Sequence, residues 1–240
     1  MVNGITTAGL GKPEYRMAIV QHEEYIEALR VCGLEVTVLP PDETYPDSTF
    51  VEDTALLLPE CAIITNPGAP SRRGEIMSIE KVLSEFFQNI EHVCAPGTVD
   101  GGDILVVDDH YYIGLSERTN IEGARQINRM LNKYGKTAST IQVGDVLHLK
   151  SAAAYLGNRH MVMTSTFEHN PLFKDFLQIP ICKEESYAAN CIRINDRVII
   201  PKGFTKSKFL IENSGFSVFE VDVSEFRKLD GGVSCLSLRI

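Results

Sequence analysis

Three residues able to do covalent chemistry together are scattered through this chain: Cys235, which follows Asp230-Gly231-Gly232-Val233-Ser234; His148, in the apolar run Val146–Leu149; and Asp100, at the head of Asp100-Gly101-Gly102-Asp103. A cysteine behind a double glycine sits where backbone can approach a ligand closely. Its thiolate, rather than the thiol, is the nucleophile, so it needs a cation beside it. A histidine flanked by apolar residues has an easily tuned pKa, and a carboxylate can orient and charge it. These are the parts of a Cys/His/carboxylate hydrolytic site. Separately, each has an ordinary reading: a small apolar residue in a C-terminal strand for Cys235, a satisfied core histidine for His148, and a strand-initiating turn for the Asp-Gly-Gly-Asp run.

A second polar constellation is Pro46-Asp47-Ser48-Thr49-Phe50-Val51-Glu52-Asp53. Its carboxylates interleave with Phe50 and Val51 and lead into the apolar run Ala55–Leu58. A merely solvated acidic loop would leave Phe50 and Val51 out of place; a strand start with acids aimed into a cleft would not. Paired carboxylates match the N–H fork of a guanidinium.

Other chemistries find little support. The net charge of -9 leaves no basic stripe to neutralise phosphates, so no nucleic-acid partner is expected. The six histidines (His22, His92, His110, His148, His160, His169) form neither HxH nor HExxH, so no metal is expected. The Asp-Gly-Gly-Asp run lacks the further ligands of a calcium loop, and Gly9-Leu10-Gly11-Lys12-Pro13 lacks the spacing of a phosphate loop. No apolar run has the length of a membrane span, and the first residues show no apolar signal core. The six cysteines contain no CxxC, which fits free thiols in a reducing cytoplasm.

The elements that must position these residues are short. Apolar runs punctuated by Gly, Pro, Asp or Asn predict strands at Leu34–Leu39, Ala55–Leu58, Ala62–Thr65, Ile104–Val107, Tyr111–Leu115, Met161–Met163, Val198–Pro201, Val218–Val221 and Val233–Ile240. Asp108-Asp109-His110 and Gly157-Asn158-Arg159-His160 read as tight hairpins. Helical spacing marks His22–Val31, Ile76–Asn89 and Asn120–Tyr134, with shorter candidates at Pro171–Leu177 and Thr205–Glu212. Hairpins alternating with single helices argue against a purely parallel sheet. They predict one α/β domain over residues 1–240, built of about five repeated ββαβ units.

In order along the chain, the segments PDSTFVEDTALL, ITNPGAPSRRGE, VDGGDILV, IGLSERTN, LHLKS, AANC and DGGVSC resemble the dimethylarginine dimethylaminohydrolase family, in the guanidino-group-modifying (pentein) superfamily that includes arginine deiminase. The resemblance runs from about residue 35 to 240 and lies in the ordered set rather than in any one piece. It implies a five-bladed α/β propeller of ββαβ modules and a cofactor-free thiol hydrolase acting on a small guanidino substrate, as a monomer or homodimer. It further implies Cys235 as nucleophile, His148 as general acid/base and Asp100 as its orienting carboxylate. Glu52 and Asp53 would hold the guanidinium and Asp47 the substrate amino group, with Arg72 and Arg118 on the substrate carboxylate. Phe50 would line the pocket, Asp230 would lie close to the nucleophile, and Thr6 to Pro13 would supply a lid.

Arginine deiminases carry an aspartate two residues after the catalytic histidine; here the run is His148-Leu149-Lys150. Losing a carboxylate stops demanding N–H donors from a nitrogen that is methylated. The implied reaction is hydrolysis of methylated arginines to citrulline. The alternatives are a deiminase or hydrolase of the same superfamily acting on another guanidine or ureido compound, or a catalytically silent binder of arginine-like ligands. A silent binder has no need of the set Cys235, His148 and Asp100.

Overall fold

A computed structural model describes residues 1–240. The chain divides into two compact units, one formed by Met1–Pro46 and Ser151–Ser234, the other by Asp47–Lys150 and Cys235–Ile240.

The second unit contains two copies of one motif. In the first copy, β1 (Ala55–Leu58) and β2 (Cys61–Ile64) form an antiparallel hairpin, and α2 (Ile76–Leu83) leads to β3 (Ile90–His92), which lies parallel to β2. The next copy repeats this with β4 (Ile104–Val107), β5 (His110–Leu115), α3 (Ile121–Lys133) and β6 (Thr137–Gln142). The β4–β5 turn is two residues long, with Asp108 at φ 53°, as a tight hairpin with the strands' own twist requires.

Helix α3 shows how the sequence encodes its element. The Asn120 side chain accepts the Gly123 N–H and caps the first turn. Ala124, Ile127 and Leu131 fall on one face and are buried against Ile63, Ile104 and Ile113. Burying Ile127 and Leu131 stabilises by roughly 2 kcal/mol each. A Cβ at Gly123 would stand 2.1 Å from the Thr98 carbonyl, so only glycine permits this approach.

The other unit contains two more three-stranded modules, the first without an α-helix: β7 (Ala153–Gly157), β8 (His160–Thr164) and β9 (Leu177–Ile181); then β10 (Ile192–Ile194), β11 (Arg197–Pro201), α4 (Thr205–Asn213) and β12 (Ser217–Val221). It also holds α1 (Tyr15–Val31) and the short α5 (Ser224–Arg227). Its core gathers Leu156, Val162, Ile179, Val198, Ile200 and Ile211.

The α/β class and the hairpins therefore match expectation, and the ββαβ order recurs in three of the four three-stranded sheets, a single tight turn at Pro171–Phe173 standing in for the helix in the sheet of β7, β8 and β9. Two predicted strands are absent. Leu34–Leu39 is partly exposed, pairs with no strand and ends at Pro40-Pro41. Val233–Ile240 is turn and coil, because side chains and loops rather than a ladder take its backbone groups: Tyr25 Oη donates to the Val233 carbonyl at 2.7 Å, and the Glu52 N–H donates to the Cys235 carbonyl at 3.2 Å. Pro171–Leu177 is only a single tight turn at Pro171–Phe173, with Leu177 already in β9. Helix α1 begins seven residues before the expected His22, since the Glu14 carboxylate caps Arg16 and Met17. Exposed Met17, Ile19 and Val20 had blurred its periodicity. Helix α2 ends at Leu83, short of Asn89, because the chain must turn to lay β3 along β2. No helix is long and apolar enough to cross a membrane.

Candidate active site

The polar residues singled out in the sequence come from equivalent places in successive modules. A short 3₁₀ turn precedes the first strand of three of the four hairpins, at Val51–Thr54 before β1, Gly101–Asp103 before β4 and Leu149–Ser151 before β7. In the first, Thr54 Oγ1 donates to the Val51 carbonyl and Thr65 Oγ1 to the Asp53 carbonyl, both at 2.7 Å. These bonds hold Glu52 and Asp53 in place, 4% and 3% exposed.

The two glycines of Asp100-Gly101-Gly102-Asp103 make the site sterically feasible. A Cβ at Gly101 would lie 2.0 Å from the Glu52 carbonyl oxygen, and one at Gly102 would lie 2.6 Å from His148 Nδ1. The Gly102 N–H instead donates to Asp53 Oδ1 at 2.9 Å. His148 Nε2 lies 3.1 Å from Asp100 Oδ2, while Asp100 Oδ1 accepts the Gly68 N–H at 2.8 Å. Asp53, Asp100 and His148 each bring a polar atom within 4.8 Å of the others, all buried.

That crowding sets the proton inventory. Burial disfavours a charged imidazole, but Asp53, Asp100 and Asp103 together outweigh it and push His148 up to about 9. Burial likewise disfavours the Asp53 carboxylate; His148 and Arg72 reverse this and hold it at about 2. At neutral pH the site thus holds an imidazolium against carboxylates.

The remaining expected residues are distributed as follows. Cys235 is half-buried, and its carbonyl is joined to the Glu52 amide. Asp47 and Phe50 are buried at 6% and 5% exposure. Arg118 is half-buried, and its guanidinium has no protein partner. Glu52 Oε1 receives Lys150 Nζ at 2.7 Å and Arg239 Nη2 at 3.4 Å. Asp230 belongs to the other unit, at φ 62°, where its Oδ2 accepts the Thr7 N–H at 2.6 Å and the Thr7 hydroxyl at 3.2 Å. Gly9 and Gly11 of the expected lid have φ of 64° and 85°.

Arg72 departs from the expectation of a side chain available to a substrate carboxylate. Its Nη1 donates to Asp53 Oδ2 at 2.5 Å, its Nε and Nη2 to Glu75, and its Nη2 also to the carbonyls of Asp47 and Phe50. In this state it clamps the acidic segment. Glu75, which sequence reasoning missed, sits three residues on from Arg72 and is buried. Burial and the neighbouring Asp47 and Asp53 push its carboxyl up to about 7, against the pull of Arg72. Replacing Arg72 by alanine is expected to take the guanidinium away from two buried acids, leaving Glu75 without its ion pair and Asp53 with only the Gly102 N–H and the nearby His148, at a cost of about 3–5 kcal/mol. In a chain of this size that lowers Tm by roughly 10 °C; a thermal melt at pH 7 that moves by less than a few degrees would refute the clamp.

Sequence reasoning also passed over Asp103 and Arg239. Asp103 was visible as the second acid of the Asp-Gly-Gly-Asp run, whereas nothing near Arg239 in sequence points to Glu52.

The chain is similar to known proteins of one family. A family model described as N,N dimethylarginine dimethylhydrolase, eukaryotic, matches residues 12–239. The chain is similar to the N(G),N(G)-dimethylarginine dimethylaminohydrolase of Pseudomonas aeruginosa, 51% identical over 240 residues that cover all of this chain and 94% of that protein. The enzyme of the same name from Streptomyces coelicolor is 35% identical over 230 residues, covering 95% of this chain and 88% of the relative. Among solved structures, a cysteine-to-serine mutant of the Pseudomonas aeruginosa protein complexed with citrulline superposes with a TM-score of 0.98 at 51% identity, covering 100% of this chain and 94% of that one.

Proposed function

This chain belongs to the dimethylarginine dimethylaminohydrolase family, and we propose that it hydrolyses N-omega-methylated arginines, asymmetric dimethylarginine and monomethylarginine, to citrulline and the corresponding amine. What carries this reading is the buried cluster in which His148, held at 3.1 Å by Asp100, is kept protonated beside Asp53.

The chemistry follows from those charges. A guanidinium carbon is a weak electrophile because resonance spreads its charge, so attack requires a strong nucleophile such as a thiolate. Cys235 supplies it, with the imidazolium of His148 and the substrate cation favouring the ionised sulfur. Attack forms a C–S bond and a tetrahedral adduct. His148 then donates its proton to the departing dimethylamine as the C–N bond breaks, leaving a thiouronium on Cys235. The neutral imidazole next takes a proton from water, whose oxygen attacks the same carbon; the C–S bond breaks and citrulline leaves.

Glu52 and Asp53 orient the guanidinium, and Asp47 receives the substrate amino group. Arg118, whose guanidinium has no protein partner, takes the substrate carboxylate. Arg72 joins it there only if substrate draws some of its donors from Asp53 and Glu75. Phe50 closes one wall, and Asp230 tethers the N-terminal segment through Thr7. Lys150, resting on Glu52, offers no acceptor where a deiminase would carry an acid, so the site does not reward the additional N–H donors of an unsubstituted guanidinium.

The test is citrulline release from asymmetric dimethylarginine, monomethylarginine and arginine side by side. Release from the methylated substrates with at least tenfold lower kcat/KM on arginine is the expected outcome. Equal turnover of arginine would reassign the chain to a deiminase activity, and no release from folded protein would favour a binding role.

A further inference from the structure

We propose that Asp103 is a positioning residue that ties the segment carrying His148 to the turn carrying Arg118, fixing the spacing between the two ends of the substrate site. The proposal rests on the roles given above to His148 and Arg118.

Asp103 is fully buried, and its two oxygens reach segments far away in sequence. Oδ1 accepts the Leu149 N–H at 3.0 Å, one residue beyond His148. Oδ2 accepts the Ser116 hydroxyl at 2.6 Å. That hydroxyl oxygen in turn accepts the N–H groups of Arg118 at 3.0 Å and Thr119 at 3.1 Å, so Asp103 governs the turn from which Arg118 projects. Thr119 closes the loop, with its hydroxyl bonded to Asp103 and accepting the Asp100 N–H at 3.1 Å. Strand β5 makes room for the carboxylate with Gly114, where a Cβ would lie 2.9 Å from Asp103 Oδ1. The core alone would accept an apolar side chain here. A buried acid satisfied by donors from two separate segments is instead a connector, and truncating it leaves those donors unpaired.

The charged groups facing His148 are Asp53 from the Val51–Thr54 turn, and Asp100 and Asp103 from the Asp-Gly-Gly-Asp segment. Asp103 therefore acts on His148 both by holding Leu149 and by its charge, but on Arg118 only through Ser116. Two variants separate these branches. Ser116→Ala breaks the Arg118 branch. Asp103→Asn keeps the shape, removes the charge and sets an amide N–H against a Ser116 oxygen whose lone pairs are already used.

Ser116→Ala is expected to raise KM for asymmetric dimethylarginine about tenfold, with kcat within about twofold and the His148 NMR titration unmoved, because misplacement of a binding group at this scale costs one to two orders of magnitude. Asp103→Asn should also lower kcat about tenfold and move the His148 midpoint down by about one pH unit. Either of two results overturns the proposal. One is wild-type KM and kcat in Asp103→Asn. The other is lost activity that tracks a lower Tm while the His148 midpoint stays put. If wild-type protein turns over no methylarginine, the functional reading fails, and the His148 titration alone decides whether Asp103 acts on that ring.

Discussion

Cys235→Ser is expected to reduce citrulline release from asymmetric dimethylarginine by at least about four orders of magnitude, on the scale seen when a catalytic nucleophile is removed. The reason lies in the proton inventory. A serine hydroxyl must lose its proton to attack, and the neighbouring base would have to be His148. That imidazole is already protonated at neutral pH, pushed up to about 9 by Asp53, Asp100 and Asp103 against burial. A thiol ionises near pH 8.5 even when free, so it can form a thiolate–imidazolium pair where an alcohol cannot. Steady-state citrulline assays give the rate, and acid-quenched mass spectrometry gives the mechanism. Wild-type protein should carry the mass of a thiouronium adduct on the peptide holding Cys235, and the variant should carry none. Residual turnover within a hundredfold of wild type would mean that sulfur is not the attacking atom.

His148→Ala should lower kcat by about three orders of magnitude, since it removes the donor for the leaving amine and the base for water, each of which is worth roughly 10²–10⁴. The pH dependence adds a signed test. In wild-type protein kcat/KM should fall as pH rises through about 9, where the imidazolium is lost; the variant should lack that limb. Stability follows the same linkage. His148 binds its proton more tightly in the folded state than its ordinary value near 6.5, so its ion-pair contribution is complete below about pH 6.5 and disappears as pH rises through about 9. The Tm difference between wild type and His148→Ala should therefore be largest near pH 6 and shrink towards pH 10. A constant difference would place His148 among ordinary core residues.

Local order made much of the fold legible. The hairpins at Asp108-Asp109 and Asn158-Arg159 follow from an aspartate and an asparagine, Asp108 and Asn158, that tolerate positive φ, and both occur. Helix α3 follows from the spacing of Ala124, Ile127 and Leu131 behind the Asn120 cap. Strands such as Thr137–Gln142 were missed because an exposed, polar strand has no apolar signature; it forms because β5 offers it a parallel neighbour. Leu34–Leu39 failed the other way, having the pattern without a partner strand.

At the site, the ordered motifs singled out Cys235, His148, Asp100, Glu52 and Asp53 as candidates, with roles implied by the resemblance those motifs carry, and folding brings Asp53, Asp100 and His148 within 4.8 Å of one another. Which partner each charge takes was decided only in three dimensions. Arg72 turns inward onto Asp53 and Glu75, Lys150 and Arg239 converge on Glu52, and Asp103 links Leu149 to Ser116. Side-chain chemistry is written residue by residue, so it can be read from a string. Pairing and desolvation depend on distances between segments that are far apart in the chain, and those exist only after it folds.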